Sequence, residues 1–316
     1  MTTLRAATGT TLRMLLGSTT AAVDDLTAVD DRIGTALPLS RRVGFVSLAG
    51  GSGLSSVLVS ALLMLDARRS GPILAVDAAG GSCGLGRLLG IGRAEGDSQS
   101  GPAEQAKADA QTRRTARTSA DALRGLPRLG RNARLVDLAD PLLTGVVPSR
   151  LSAPVARWTE EVAPIARFSD LVLTDWGVRP PFEDLGHVAS TGHVLIVVGR
   201  ADRKQAIDAV RAVASIGADS ASPRMVLVLV DGGRTASRFA LDVGNLPVDR
   251  LHRIPYDPAF GGAIQHSQRR LSHPTRRALL DLCAALVDEA GRSGAPGHAA
   301  AGRVAADTSR PEENWS

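Results

Sequence analysis

The stretch Val43 to Ser56, Val-Gly-Phe-Val-Ser-Leu-Ala-Gly-Gly-Ser-Gly-Leu-Ser-Ser, decides how this chain is read. Val43, Phe45, Val46 and Leu48 supply a buried strand. Gly50, Gly51 and Gly53 let the backbone turn tightly, because glycine reaches φ > 0 without steric cost. Ser55 and Ser56 then open an apolar run, Val57 to Leu65, of helical length. A strand, a glycine loop and a helix N-terminus together form an anion cradle, since free N–H groups and the helix dipole point into the loop. Loops of this kind usually end in Gly-Lys-Ser/Thr, with the lysine on the outer phosphates. Here Leu54 stands in the lysine position.

Working outward, the same pattern repeats. Apolar runs at Ile73–Asp77, Ala133–Leu138, Asp170–Asp175, His193–Val198, Met225–Val230 and His252–Pro255 read as strands. Helical spacing separates them, over Leu151–Ala166, Lys204–Ile216 and Leu271–Val287 among others. Pro154 and Pro164 are expected to limit the first of these. Continuous apolar strands alternating with helices predict an α/β fold, a mostly parallel, doubly wound sheet covered by helices on both faces. Ligands in such folds bind outside the carboxyl ends of the strands. The glycine loop, Asp77, Asp175 and Asp231 all fall at such ends.

Residues 1–40 carry leucines and valines at spacings of three and four, which predicts a short N-terminal helical extension, packed on the core or facing a partner or membrane surface. Residues 92–120 are polar with almost no large apolar side chain and read as a flexible insertion, or as a fraying polar helix around Ala103–Leu123. Residues 291–316 read as a disordered tail, which leaves 41–290 as the main domain.

Composition bounds the function. The chain has 316 residues, 44% hydrophobic and 22% charged, ordinary for a globular protein with a sizeable core. Only 3% are aromatic, which argues against base-stacking surfaces for single-stranded nucleic acid. The net charge is +5, carried by arginine with lysine only at Lys107 and Lys204, and no dense basic run occurs. Cys83 and Cys283 form no metal or disulfide pattern and suit a reduced, cytoplasmic setting. Cys83, in a glycine-rich loop near the cradle, is a candidate reactive thiol or an inert loop residue. The histidines show no metal-ligand spacing. No stretch approaches the 18 apolar residues of a membrane span.

These residues resemble the MinD/ParA group of P-loop ATPases with a deviant Walker A motif, and most of all the MinD-like proteins of actinobacteria associated with type VII secretion. The likeness lies in Arg41-Arg42 before the first strand, the loop Ala49 to Ser56, Ala-Val-Asp at Ala75–Asp77, Leu-Val-Leu-Thr-Asp at Leu171–Asp175 and Ile-Pro-Tyr-Asp-Pro at Ile254–Pro258. It implies a P-loop NTPase sheet and a site for ATP with Mg²⁺. Gly50, Gly51, Gly53, Leu54, Ser55 and Ser56 would form the phosphate loop, with Asp231 and Pro255 near the base. Ser55 and Asp175 would hold the metal, and Asp77 and Asp175 would serve the chemistry. Alternatively, both acids are strand-end carboxylates capping nearby N–H groups, and Asp257 is a turn residue.

Two departures bear on activity. The motif Lys-Gly-Gly-x-Gly-Lys-Thr/Ser-Thr places its lysines at Ala49 and Leu54, so both cations are gone. Phosphoryl transfer rests on positioning and charge neutralisation, so hydrolysis should be largely lost and nucleotide affinity weakened or lost. An arginine, among Arg41, Arg42, Arg200 and Arg203, could supply the charge. The resulting expectation is a non-hydrolysing regulatory or scaffold protein linked to secretion, membrane positioning or partitioning. It would act through a protein partner or as a homodimer, with peripheral membrane association. The rivals are an ATPase with a rebuilt site and a basic DNA-associated partitioning protein.

Overall fold

Each apolar run becomes a strand of one sheet. The computed structural model describes residues 20–21, 23–79, 84–90, 111–113, 115–138, 153–179, 185–216, 222–233, 250–260 and 270–292. Its strands are β1 (Arg41–Ser47), β2 (Ile73–Asp77), β3 (Ala133–Asp137), β4 (Leu171–Val178), β5 (Val194–Arg200), β6 (Arg224–Val230) and β7 (Arg250–Ile254). They pair in the order β3-β2-β4-β1-β5-β6-β7, every pair parallel. The expected α/β doubly wound sheet is therefore present. Cys83, the first 19 residues, the segment 91–110 and the tail from residue 293 lie outside the described residues.

Both faces of the sheet are covered. A first helix, α1, spans residues 23–34. It is followed by α2 (Leu54–Arg68), α3 (Leu85–Leu88) and α4 (Ser119–Ala122). Helix α5 joins Ala153–Arg157, a π turn at Trp158–Val162 and Ala163–Ala166. Then come α6 (Leu185–Thr191), α7 (Arg203–Ile216) and α8 (His273–Arg292). Alternate strand residues feed two cores, because successive side chains point to opposite faces. Val43, Phe45, Ile196 and Val198 join Val29 and Ile33 of α1, α2 and α8 on one face. Val46, Leu195, Val197 and Trp176 join α5, α6 and α7 on the other. Among the described residues no helix is long and apolar enough to cross a membrane.

The strand bearing Asp175 runs further than its apolar run suggests, through Trp176, Gly177 and Val178. Its register with β1 slips between Phe45↔Asp175 and Ser47↔Val178. Gly177 takes φ 69° at this bulge, and a Cβ there would lie 2.8 Å from the Ala79 Cβ. A bulge re-aims side chains beside it, and this one lets the Gly177 N–H reach the Asp175 Oδ1 at 2.8 Å.

Candidate nucleotide site

The glycine loop lies at the carboxyl end of β1 and enters α2. The Ser47 hydroxyl bridges its start, donating to the Ala49 carbonyl at 2.8 Å and accepting the Ala49 N–H at 3.3 Å. Gly51 and Gly53 adopt φ 72° and 85°. Gly53 is the N-cap of α2 and supplies no side-chain hydrogen bond, and the first turn holds no acid. The N–H groups that begin the helix are therefore not capped by a side chain, as an anion cradle requires.

Leu54 does not face that cradle. It is 6% exposed and belongs to the core cluster beneath the loop with Val57 and Leu58. The Ser55 hydroxyl donates to the Asp175 Oδ2 at 2.8 Å. Asp175 is 1% exposed. Burial raises its pKa, opposed by the bonds from Ser55 and the Gly177 N–H and by the Arg179 charge. Asp77 sits beside it in register and is flanked in turn by Asp137. Burial first, and then the Asp175 charge, push Asp77 up to about 6. Its Oδ2 accepts the Leu85 N–H at 2.5 Å, at the start of α3, and its Oδ1 accepts the Ala79 N–H at 3.3 Å. Asp77 and Asp175 thus sit together, each hydrogen-bonded to nearby N–H groups.

A cavity of about 400 Å³ opens beside the loop, within the range of small-ligand sites. Its wall includes Gly51, Ser52, Gly53, Ser56, Arg200, Asp231, Pro255, Tyr256 and Phe260. Neither Ala49 nor Leu54 is in that wall; Ala49 lines a separate hollow of about 50 Å³. Of the four arginines that could replace the lysines, Arg200 alone lines the cavity. Its guanidinium lies on Gly232, where a Cβ would come within 2.4 Å of Nη2. Arg41 and Arg42 begin β1, at the opposite end of the strand from the loop, and Arg42 covers the Trp158 ring at 5.3 Å. Arg203 is exposed at the start of α7.

Asp231 follows β6, and its N–H donates to the Ile254 carbonyl at 2.9 Å. Its carboxylate, 8% exposed, accepts Arg253 Nη2–H at 2.7 Å and Nε–H at 3.0 and 3.2 Å. Asp257 accepts the Ala259 and Ser272 N–H groups at 2.9 and 2.7 Å, pinning the Pro-Tyr-Asp-Pro turn in front of α8. Three residues escaped the sequence reading. Tyr256 lay inside the quoted motif, and Arg253 stood one residue before it. Arg179, which donates to the Trp176 and Ala78 carbonyls beside Asp175, carried no sequence signal.

The donor set suits Mg²⁺ in one way only. Mg²⁺ is commonly held by one or two carboxylates completed by phosphate oxygens and water. Ser55 and Asp175 fit that role, whereas the described residues contain no cluster of three or more His, Cys, Asp or Glu able to hold a metal alone.

No protein-family model and no curated protein matches this chain. Solved structures do. A ParA family ATPase from Chlorobium tepidum superposes with TM-score 0.53 at 18% identity, over 77% of this chain and 98% of that one. The septum site-determining protein MinD from Pyrococcus horikoshii, complexed with Mg-ADP, gives 0.53 at 17%, over 81% and 99%. MinD from Aquifex aeolicus, solved as a MinC:MinD complex, gives 0.51 at 18%, over 78% and 96%. This chain therefore has the fold of the MinD and ParA ATPases, an α/β P-loop NTPase-like fold.

Proposed function

We propose that this chain is a MinD/ParA-like protein with a degenerate Walker A loop, which holds a nucleotide weakly, does not hydrolyse it, and serves as a regulatory or scaffold protein. One observation carries the reading: the two lysine positions of the motif are Ala49 and Leu54, and Leu54 is built into the core beneath the loop. Removing one preorganised donor from a transition state commonly costs about 10²–10³ in rate, and here two cations are missing. The cradle N–H groups, the 400 Å³ cavity and the Ser55–Asp175 pair support retention of a nucleotide with Mg²⁺. The likeness to a MinD solved with MinC supports a protein partner or a second copy of this chain as the thing regulated. The sequence resemblance points to secretion, membrane positioning or partitioning as the setting, on the cytoplasmic face of the membrane.

Calorimetric titration with ATP and Mg²⁺, run beside a phosphate-release assay, tests this. Weak binding with no release above the protein-free blank is expected, and sustained turnover would overturn the reading. A second reading, an ATPase with a rebuilt site, is favoured by Arg200 in the cavity wall. Turnover that disappears in Arg200→Ala would establish it.

A further inference from the structure

One buried charge takes no part in the site at the carboxyl ends of the strands. Arg41 opens β1 and is 6% exposed. In the alternation of that strand it falls on the side of Val43 and Phe45, the side covered by α1, α2 and α8. Among the described residues its guanidinium makes no hydrogen bond, ion pair or ring contact, and its Nε is sealed from solvent. Arg69, buried as deeply, shows how such a charge is normally met. Its Nε also lacks a partner, but its Nη1 donates to the Ile33 and Thr35 carbonyls at 2.6 and 3.0 Å, and its Nη2 lies 3.8 Å from the Asp170 carboxylate. Arg224 and Arg250 likewise share the buried Glu289. Beside Arg41 stands charge of its own sign. Burial first, and then the charges of Arg41 and Arg42, lower the pKa of His193.

We propose that the amino end of the sheet binds an oxyanion, the phosphate or carboxylate group of a small ligand, on the Arg41 guanidinium. A guanidinium keeps its proton in proteins and can only donate. A charge taken out of water needs an opposite charge or hydrogen-bond acceptors to offset its lost hydration, and the described residues give Arg41 neither. The flat fork of donors matches two oxygens of a phosphate or carboxylate. The Nη nitrogens are not sealed as Nε is, so the outer edge of the fork is open to a ligand arriving from solvent. Arg41 and Ser47 are the two ends of β1, which puts this site about 20 Å from the glycine loop at about 3.3 Å per strand residue. It is therefore independent of the nucleotide reading.

Thermal melts of the full chain and of Arg41→Met test the proposal, with inorganic phosphate or acetate replacing chloride at constant ionic strength. One of the two probes should raise the parent melting temperature saturably, by about 3–6 °C at ten times its dissociation constant, and which one does so identifies the ligand group. Arg41→Met should gain no more than about 1 °C. In chloride alone it should melt no lower than the parent, since it loses an unpaired buried charge. Phosphate held in the glycine loop would raise parent and variant alike. Equal gains in both chains, or no gain in either, would overturn the proposal. Should Arg41→Met fail to fold, the Arg41 Nε–H signal in the ¹H–¹⁵N spectrum of the parent decides, assigned by its loss in Arg41→Lys. A saturable shift of that signal with phosphate or acetate is expected, and a signal that neither probe moves would overturn the proposal.

Discussion

Gly44 shows how one residue fixes what surrounds the site. Trp176 follows Asp175 directly and is fully buried, tilted against Trp158 with ring centroids 6.3 Å apart. Trp158 in turn donates to the Thr174 hydroxyl at 3.1 Å. This indole fits behind β4 because β1 carries no side chain at Gly44. A Cβ there would stand 3.0 Å from the Trp176 Nε1 and 3.1 Å from the Leu195 Cδ1. Gly44 has no left-handed φ, so its requirement is one of space. Gly44→Ala should therefore destabilise the fold by about 1–3 kcal/mol, the usual cost of overpacking a filled core. Thermal melts of Gly44→Ala, Trp176→Leu and the double variant check this. The glycine effect should largely vanish once the indole is gone, and additive losses would show that Gly44 acts otherwise.

At the scale of elements, the strands were legible because each is a continuous apolar run of β-branched residues and leucines buried on both faces. Val-Leu-Ile-Val-Val at Val194–Val198 is buried throughout, so its shortness and β-branched content, not a period, named the strand. The β4 extension was not legible, because it depends on a bulge at Gly177 that answers to Ala79, far away in sequence. Nor was the unbroken α5, since Pro164 signals a stop. The π turn before it, in which the Ala163 N–H bonds the Trp158 carbonyl, carries the helix to a residue with no N–H to give. In the site, the loop and the strand-end acids were visible as local motifs. Arg200 in the cavity and Leu54 in the core were not, since both follow from how β5, β6 and α2 stack. Asp66 belongs with these long-range features. From within α2 it accepts the N–H groups of Arg131, Asn132 and Ala133 at 2.7, 2.7 and 2.8 Å, fixing the entry of the edge strand β3. It is 5% exposed. Asp66→Ala would leave those donors without it, and bonds to a charged group are worth about 1.5–3 kcal/mol each, so a loss of roughly 3 kcal/mol or more is expected. Hydrogen exchange at Arg131–Ala133 should accelerate more than in the central strand β1, and uniform acceleration across the sheet would argue against a local pin.

For the whole molecule, the sheet gathers charge at its two ends with opposite consequences for pH. At the carboxyl end, burial raises the Asp77 pKa from 3.8 to about 6. The folded protein then holds a proton that the unfolded chain releases, so this group makes stability fall as pH rises from about 4 to about 6. At the amino end of β5, His193 is 6% exposed and accepts the Arg42 N–H on Nδ1 at 3.0 Å. Burial first, then the charges of Arg41 and Arg42, lower its pKa from 6.5 to about 4. Here the unfolded chain takes up the proton, so this group makes stability rise with pH across the range from about 4 to 6.5. The two displacements act in opposite senses over the interval they share, from about 4 to about 6. Single substitutions should separate them. Asp77→Asn keeps an acceptor for the Leu85 N–H and removes the falling limb, so its melting temperature should drop steeply on acidification from pH 6.5 to 4. His193→Asn keeps an acceptor for the Arg42 N–H and removes the rising limb, so its melting temperature should hold or increase over the same range. Melting curves of the parent and both variants at half-unit pH intervals decide the matter. Profiles that diverge in opposite senses from the parent are expected, and parallel profiles would show that neither buried group keeps its displaced titration in the folded chain.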